Sequence, residues 1–379
     1  MNKFVFIVIL SIFLSFLYSC SKTSSENTTN YQVITNPEYG IWQERETPQV
    51  EFELVQLFGE ENAPEEELLG GITAMFTDDD QNVYVLDDRL SKLISFDKNG
   101  EVRWVTGSKG RGPGDFENAW NMIWDGNETI YVSNIARTRI GLFNLKGEFL
   151  KTLSITNEEL KTVNLNGFIG DKIVVSKSIS GSFLTKFILF NPADPDSILS
   201  SFSVDLTGDL KIPQGLSWLA KAWTLDDQLV VADISNYSFS FYNSDNMKTQ
   251  QLDRNFDRIM RPGFYQNGNN KAMGSMGGLN TIVKLGNEYY ITTASWPTNV
   301  DDPDQYMKNY GSEKQTNAEF SNTTDLFDQD FQLLYSIESD GFINEKLGLI
   351  EHSDNENYVY ARSNTPYPHI KKYRLVVSN

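Results

Sequence analysis

The sequence predicts an all-β fold, a six-bladed β-propeller made of four-stranded antiparallel blades. Three observations predict it. First, an aromatic residue followed by a polar turn residue recurs at Phe96, Phe143, Phe190, Tyr242 and Phe327, and the first two intervals are both 47 residues. Second, short strands recur in groups of four about every 45–60 residues, without helical periodicity over long windows. Third, the last group lacks one strand, which the N-terminal region supplies.

Each copy of the repeat is a predicted hairpin, in which two runs of alternating apolar residues flank an Asx or Gly turn. The five hairpins are LISFDKNGEVRWV (93–105), IGLFNLKGEFLKTL (140–153), FILFNPADPDSILSSF (187–202), FSFYNSDNMKTQQL (239–252) and TDLFDQDFQLLYSI (324–337). An apolar run precedes each: VYVLD (83–87), IYVSN (130–134), IVVSK (173–177), LVVAD (229–233) and YYITT (289–293). A further short strand, such as ITAMF (72–76) or NMIW (121–124), completes the blade.

The sixth blade is predicted to close the ring. KLGLIEH (346–352), YVYAR (358–362) and IKKYRLVV (370–377) supply three strands before the sequence stops. VEFELVQLFG (50–59) is a strand without a partner near the other end. An open ring would leave strand edges exposed, so we expect this segment to pair with the last blade.

The first residues, MNKFVFIVILSIFLSFLYSC, have the pattern of a secretory signal peptide covering residues 1–19. The apolar stretch from Phe4 to Leu17 is shorter than the roughly 20 residues of a membrane-spanning helix. Leu17-Tyr18-Ser19-Cys20 resembles the lipobox of bacterial lipoproteins, which implies lipidation of Cys20, the only cysteine. The alternative is a secreted protein with an incidental cysteine. Residues 20–48, which include the polar SKTSSENTT (21–29), are predicted to be a flexible tether to a propeller at 49–379.

The chain is acidic, with 51 Asp and Glu against 32 Lys and Arg and a net charge of −19. This composition argues against nucleic acid as a partner, because binding phosphates needs a basic face. The lipid, and not charge, would hold the protein at a membrane. We expect a monomer in the cell envelope, anchored to the outer membrane and facing either the periplasm or the outside.

NVYVLDDRLSKLISFDKNGEVRWVTGSKGRGPGDF (82–116) resembles one NHL-type propeller repeat followed by its link to the next. Together with the lipobox, the whole chain resembles the six-bladed β-propeller lipoproteins of Bacteroidetes-type bacteria. The match is most specific over residues 72–153, and it brings no catalytic motif.

GSKGRGPGDF (107–116) suggests a phosphate-binding loop, but it lacks a Gly-Lys-Ser/Thr and a following helix. It is predicted to be the link between blades 1 and 2. Links of this kind and the loops between second and third strands emerge on one face of the disc. That places Lys109, Arg111, Arg137 and Arg139 in one sector, where they are candidates for binding a carboxylated or sulfated ligand. The alternative is solvated loop charge balanced by Asp87, Asp88 and Asp115.

Two long insertions, 254–278 and 296–324, are predicted to lie on the same face. Long loops at one end of a rigid scaffold are typical of binding sites. The candidate ligand-binding aromatics there are Trp218, Phe264, Tyr265 and Trp296, which suit a sugar ring or a protein partner. The alternative is that these rings hold the loops against the disc.

Motifs for known catalytic chemistry are absent from the sequence. His352 and His369 are the only histidines, and HExxH, paired CxxC and Gly-x-Ser-x-Gly do not occur. No cofactor is predicted, although abundant carboxylates leave a calcium site in the central channel open. The sequence favours a non-enzymatic module that binds a glycan or protein ligand. The alternative is a propeller hydrolase or lyase, for instance a calcium-dependent lactonase, with its site at the channel mouth.

Overall fold

The computed structural model describes residues 30–45, 48–134, 139–207, 210, 212–258, 261–310, 312–315 and 317–378. Six antiparallel sheets of four sequential or near-sequential strands follow one another around a central channel. This arrangement is a six-bladed β-propeller, and it confirms the predicted fold class. Within the described residues, no helix is long and apolar enough to cross a membrane.

The chain starts with three elements at the rim, and blades 1 to 3 follow. The rim elements are β1 (Gln32–Asn36), α1 (Ile41–Glu44) and β2 (Gln49–Phe58). Blade 1 contains β3 (Ile72–Thr77), β4 (Val83–Asp87), β5 (Lys92–Phe96) and β6 (Val102–Thr106). Blade 2 contains β7 (Asn121–Trp124), β8 (Thr129–Asn134), β9 (Arg139–Asn144) and β10 (Phe149–Ser154). Blade 3 follows a 3₁₀ turn (Glu158–Leu160) and contains β11 (Asn164–Ile169), β12 (Lys172–Ser178), β13 (Leu184–Asn191) and β14 (Asp194–Asp205).

Blades 4 to 6 carry the insertions. Blade 4 contains β15 (Ala222–Leu225), β16 (Gln228–Ala232), β17 (Ser238–Tyr242) and β18 (Lys248–Arg254). A hairpin of β19 (Gly263–Asn267) and β20 (Asn270–Gly274) precedes blade 5. Blade 5 contains β21 (Gly278–Leu285), β22 (Tyr289–Pro297), β23 (Phe320–Asp328) and β24 (Leu333–Asp340), with α2 (Pro303–Asn309) between β22 and β23. Blade 6 contains β25 (Leu349–Ser353), β26 (Tyr358–Ser363), β27 (His369–Ser378) and the N-terminal β2.

The ring closes as predicted. β2 pairs antiparallel with β27 along its whole length, and Leu54 lies opposite Tyr373. Phe58, the last residue of β2, is fully buried between Tyr360 of blade 6 and Phe96 of blade 1, with ring centroids 6.2 and 6.0 Å away. The N-terminal strand therefore completes blade 6 and also seals it against blade 1.

The hydrophobic core is divided among the interfaces between blades. Six clusters of buried side chains each join two neighbouring blades, and the sixth, which includes Phe58 and Phe96, joins blade 6 to blade 1. Burial thus holds each blade to its neighbours, while the axis stays open for a channel.

The repeated aromatic–Asx pair has a direct structural role. Phe96, Phe143, Phe190 and Phe327 are buried, and the Asx residue after them turns the chain into the outer strand. The side chain of Asn144, for example, accepts hydrogen bonds from the backbone N–H groups of Lys146 and Glu148, at 3.0 and 2.9 Å. Such an Asx turn fixes the hairpin, which explains why the pair recurs in the sequence.

The segment before β2 forms a strap over the rims of blades 4 and 5. β1 adds to the outer edge of blade 4 as a parallel strand, with Gln32 opposite Gln250 and Asn36 opposite Arg254. The buried Asn36 amide donates to the Phe331 carbonyl at 2.9 Å and accepts from the Leu333 N–H at 2.7 Å. The prediction of a flexible tether for residues 20–48 is wrong for 32–36 and 41–44, because β1 covers an open sheet edge and α1 packs on β24. Residues 1–29, including Cys20, lie outside the described residues.

A buried ion pair joins the strap, blade 4 and blade 5. The fully buried Arg254 donates to the Asp325 carboxylate at 2.7 Å and to the backbone carbonyl of Glu38. Asp325 also accepts hydrogen bonds from the hydroxyls of Tyr237 and Thr323, at 2.5 and 2.6 Å. Because every charge has hydrogen-bonded partners, the pair fixes the arrangement of these three segments.

The Phe58→Ala substitution should weaken the closure of the ring. Removing a fully buried aromatic ring leaves a cavity between blades 6 and 1, and we expect a loss of about 3–5 kcal/mol in the free energy of unfolding. Urea unfolding followed by tryptophan fluorescence measures this loss. Phe342→Ala is the matched control because that ring is exposed, and an equal loss in both variants would contradict the role of Phe58.

Candidate functional site

A cavity of about 510 Å³ occupies one end of the central channel. It lies where the first strand of each blade begins, the face that also carries the links between blades. We call this the link face. All six blades contribute to its wall, which is formed by residues 73–75, 120–123, 164–166, 219–223, 280–281 and 350–351. Its volume falls within the range of small-molecule sites in proteins.

β-Bulges place polar side chains in this wall. The register of the first strand shifts at Thr73, Asn166, Asn280 and Glu351, in blades 1, 3, 5 and 6, and all four residues line the cavity. A bulge adds one residue to a strand and redirects a side chain, which is why bulges occur beside binding sites. Asn121 and Lys221 line the cavity in blades 2 and 4.

The side chains at this level also join neighbouring blades. Asn121 donates to the Leu165 carbonyl at 2.5 Å, Asn166 to the Ala222 carbonyl at 3.3 Å and Lys221 to the Leu279 carbonyl at 2.9 Å.

Between blades 6 and 1, Arg362 donates to the Ile72 carbonyl at 2.5 Å. The carbonyls of Ile72, Leu165 and Leu279 each come directly before a bulge, where the ladder is interrupted. A side chain of the preceding blade thus satisfies a backbone group that the bulge releases.

Glu351 supplies the negative charge of the cavity wall. Burial raises the pKa of its carboxyl to about 7, although the Arg362 guanidinium, 2.8 Å from a carboxylate oxygen, favours the charged form. The adjacent His352 bonds to the Thr77 hydroxyl at 2.9 Å, and burial lowers the pKa of its imidazole to about 4. At neutral pH His352 is therefore uncharged.

Lys221 supplies the positive charge. Its ammonium donates to the Leu279 carbonyl and, at 3.0 Å, to the side-chain oxygen of Asn280. The side chain is open to the channel, but the surrounding wall still desolvates the ammonium and lowers its pKa.

Aromatic rings and side-chain amides complete the cavity. Trp120, 54% exposed, and the half-buried Trp223 both line it. Asn121, Asn164, Asn166 and Asn280 also line it, although the side-chain oxygens of Asn164 and Asn166 are buried and have no hydrogen-bond partner. The wall therefore contains aromatic rings, amides and one charge of each sign.

The sequence analysis missed these channel residues. The available signal was a polar residue inside an otherwise apolar first strand, such as Thr73 in ITAMF, Asn121 in NMIW or Glu351 in KLGLIEH. A bulge breaks the alternation that would assign such a residue to a face, so the pattern alone does not place it in the channel.

The two predicted insertions lie together on the link face and form what we call the insertion pad, the β19–β20 hairpin and α2. Arg261 and the backbone N–H of Phe264 both bind the Asp304 carboxylate, at 3.0 and 2.8 Å. Gly263 allows the close approach, because a Cβ there would lie 2.2 Å from the Pro303 carbonyl oxygen. A small apolar cluster that includes Met276 and Met307 fills the space between them.

The predicted group of Lys109, Arg111, Arg137 and Arg139, which we call the basic sector, is partly neutralised by a neighbouring carboxylate. GSKGRGPGDF forms a compact link in which the Asp115 carboxylate accepts from the Ser108 hydroxyl at 2.6 Å and the Gly112 N–H at 3.0 Å. Arg111 is exposed, but its guanidinium is already paired with both carboxylate oxygens of Glu117. Lys109 and Arg139 are also close enough to lower the pKa of Glu117. Arg137 lies outside the described residues.

The predicted aromatics mostly pack within the protein. Trp296 is 5% exposed and contacts Phe256 edge-to-face at 5.0 Å, while Phe264 is 7% exposed and packs on Phe183. Tyr265 packs on the cluster inside the insertion pad. Trp218 is half-buried and lines a crevice of about 30 Å³ that it shares with Lys221. Trp218 is thus the predicted aromatic nearest to the channel cavity.

The structure gives no metal centre among the described residues, where no three His, Cys, Asp or Glu side chains cluster. The Asp78 carboxylate accepts from the N–H groups of Asp80 and Asn82, at 3.0 and 2.8 Å, and from the Tyr84 hydroxyl at 2.8 Å. The Asp78 carboxylate therefore stabilises the turn between β3 and β4.

Comparisons with known proteins agree with the fold. Residues 22–167, less than half of the chain, match the DUF5128 family, described as a 6-bladed beta-propeller. No curated protein matches the chain. Among solved structures, a member of the DUF4221 family from Bacteroides vulgatus is 12% identical with a TM-score of 0.51, covering 87% of this chain and 99% of its own.

Two further solved structures also align over most of this chain and over their whole length. An exported protein from Bacteroides fragilis is 9% identical with a TM-score of 0.52, covering 92% of this chain and 100% of its own. Virginiamycin B lyase from Staphylococcus aureus is 11% identical with a TM-score of 0.42, covering 86% and 100%. The family match and the two Bacteroides structures confirm the predicted six-bladed propeller and its likeness to propeller proteins of Bacteroides.

The Glu351→Gln substitution should change how stability depends on pH. The folded-state pKa of about 7 lies above the ordinary value of about 4.5, so the contribution of Glu351 is present below pH 4.5 and is lost as the pH rises to 7. Glutamine does not ionise. We therefore expect the Tm of the variant, relative to the unchanged protein, to rise by roughly 2–4 °C between pH 4.5 and pH 8.

Thermal unfolding at both pH values measures this difference. His352 has the opposite pH dependence, but it is present in both proteins and cancels in the comparison. Glu356→Gln, at an exposed turn of the same blade, is the control. A Tm difference that does not change with pH would contradict the raised pKa of Glu351.

Proposed function

We propose that this propeller is an envelope-anchored binding protein that takes a glycan into the channel cavity on the link face. The observation that carries the proposal is the cavity itself, because all six blades place polar side chains around about 510 Å³ of accessible space. The insertion pad stands next to it, since Pro262 and Ser275 at the base of the hairpin line the crevice shared with Lys221.

The chemistry of the wall supports a sugar. Saccharides present many hydroxyl groups around apolar ring faces, so they need both acceptors and flat aromatic surfaces. The amide side chains of Asn121, Asn164 and Asn280 line the cavity, and Trp120 presents an exposed ring. A protein partner would instead need a broad, flat interface, so the concave cavity favours a glycan over a protein ligand.

The anchoring also follows the sequence prediction. Lipid on Cys20 would hold the chain at a membrane, most simply the outer membrane. The described chain enters the propeller beside the Asn243–Met247 turn, where the Lys248 ammonium lies 4.2 Å from the centre of the Tyr31 ring. This turn lies on the face opposite the link face. An anchored protein would therefore present its cavity away from the membrane.

A second candidate function is catalysis in the same cavity. The observation that favours it is Glu351, because a carboxyl with a pKa near 7 inside a cleft suits general acid–base chemistry. Incubation with the oligosaccharides that bind, followed by product analysis, distinguishes the two. Turnover that Glu351→Gln abolishes would identify an enzyme.

Oligosaccharide binding should change the tryptophan fluorescence of the protein, since Trp120 and Trp223 line the cavity. A panel of soluble plant and host oligosaccharides, titrated into purified protein, provides the measurement. For any that bind, Trp120→Ala should weaken binding by roughly 1 kcal/mol or about fivefold, because the stacking surface is lost.

The control for that titration is Trp42→Phe, which alters a ring that packs against Tyr289 at the rim. Equal affinities for Trp120→Ala and the unchanged protein would contradict binding in the cavity. If no member of the panel binds, the glycan-binding function is wrong.

Cys20→Ser should release the protein from the membrane, because serine cannot carry the thioether-linked lipid. Fractionation of cells that express the full chain measures this: the unchanged protein is expected with the membranes and the variant in the soluble fraction. Ser24→Ala, within the same polar segment, is the control. A variant that stays membrane-bound would show that Cys20 is not the anchor.

A further inference from the structure

Lys221 is unusual among the charges of this protein. Of the described residues that line the channel cavity, Lys221 is the only cation and Glu351 the only anion. The two are not paired with each other: Glu351 is bound by Arg362 at 2.8 Å, and Lys221 donates to two neutral oxygens.

The bonds of Lys221 leave one donor available. An ammonium group has three N–H donors, and the Leu279 carbonyl and the Asn280 side chain use two of them, at 2.9 and 3.0 Å. These two oxygens hold the ammonium in place. The third donor remains for the space of the cavity.

The ammonium of Lys221 faces the channel, where an anion could reach it. The wall desolvates Lys221 enough to lower its pKa, and desolvated charges in proteins are normally paired. Arg254, a fully buried cation with a structural role, is by contrast paired directly with the Asp325 carboxylate. At Lys221 no described carboxylate forms an ion pair, so the place of the anion is open.

The surroundings limit what the anion can be. One ammonium among neutral amides balances a single negative charge, whereas a phosphate dianion would need further cations. Glu351 in the same wall and the net charge of −19 also disfavour a highly charged ligand. The other polar groups of the same wall, among them Thr73, Asn121 and Asn280, are neutral and can hydrogen-bond to sugar hydroxyl groups.

We propose that Lys221 forms a carboxylate subsite of the channel cavity, which makes the protein selective for uronic-acid-containing glycans over neutral ones. The inference rests on the proposed glycan-binding function and names its ligand class. It places the anion subsite in the channel and not in the basic sector, where Glu117 already pairs with Arg111.

Oligogalacturonates of two to four residues and their methyl esters test the subsite, because esterification removes the charge and keeps the sugar. Calorimetric titration of the full soluble domain should give about tenfold tighter binding of the free acids. Lys221→Met should reduce this preference to about onefold and leave the affinity for the esters unchanged. Lys221→Arg, which keeps the charge, should retain most of the preference and shows that the site tolerates substitution.

Two controls make the same change of charge elsewhere. Lys146→Met lies in an exposed turn of blade 2 on the opposite face, and Arg111→Met lies in the basic sector. Both variants should keep the tenfold preference.

Each contrary outcome has its own meaning. If Lys221→Met still prefers the acids tenfold, or if the unchanged protein binds acids and esters equally, the carboxylate subsite is wrong while glycan binding stands. Loss of the preference in Arg111→Met but not Lys221→Met would move the subsite to the basic sector. If neither acids, esters nor the wider oligosaccharide panel binds, both the subsite and the proposed function fail.

Discussion

Closure of the ring by β2 is the constraint on which the rest of the structure depends. A propeller blade buries its surface only against two neighbours, and the last blade here has three strands until the N-terminal strand joins it. Phe58 then occupies the space between blades 6 and 1. With the ring closed, the first strands of all six blades face one axis, and the cavity at the link face exists because they do. The two ends of a long chain thus determine the geometry at its centre.

The same bulges build the cavity and hold the blades together. A bulge in an inner strand turns a polar side chain inward and interrupts the hydrogen-bond ladder. The released carbonyls of Leu165 and Leu279 are taken by Asn121 and Lys221 of the preceding blades. Backbone carbonyls that would be destabilising if they were left unpaired therefore form hydrogen bonds between blades. A consequence is that the wall cannot be altered freely, because Asn121, Asn166 and Lys221 serve both the site and the ring.

Much of this architecture was accessible from the sequence because it repeats. The aromatic–Asx pairs mark hairpins that the structure contains, and the unpaired strand at 50–59 correctly predicted its partner near Tyr373. The site was harder to predict. Thr73 or Glu351 enters the channel through a register shift, which depends on tertiary pairing and leaves no periodic trace. Trp296 stood out as a large ring in a long loop, but it packs on Phe256 because the insertions fold against the disc. Cys20, Arg137 and the ligand class stay predictions.

The parallel orientation of β1 has a mechanical consequence. A pull applied to the N-terminal segment would act along the strand axis, against all the hydrogen bonds between Gln32 and Asn36 and their partners in β18 at once. Strands loaded in this shear direction resist force better than strands peeled apart one bond at a time, since no single bond can break first. At the end of β1 the load would meet the hydrogen bonds of Asn36, and then Glu38, which the Arg254–Asp325 pair holds. The strap would therefore bear a force applied at the N-terminal segment. The interface between blades 6 and 1, which β2 completes, would then be protected from that force.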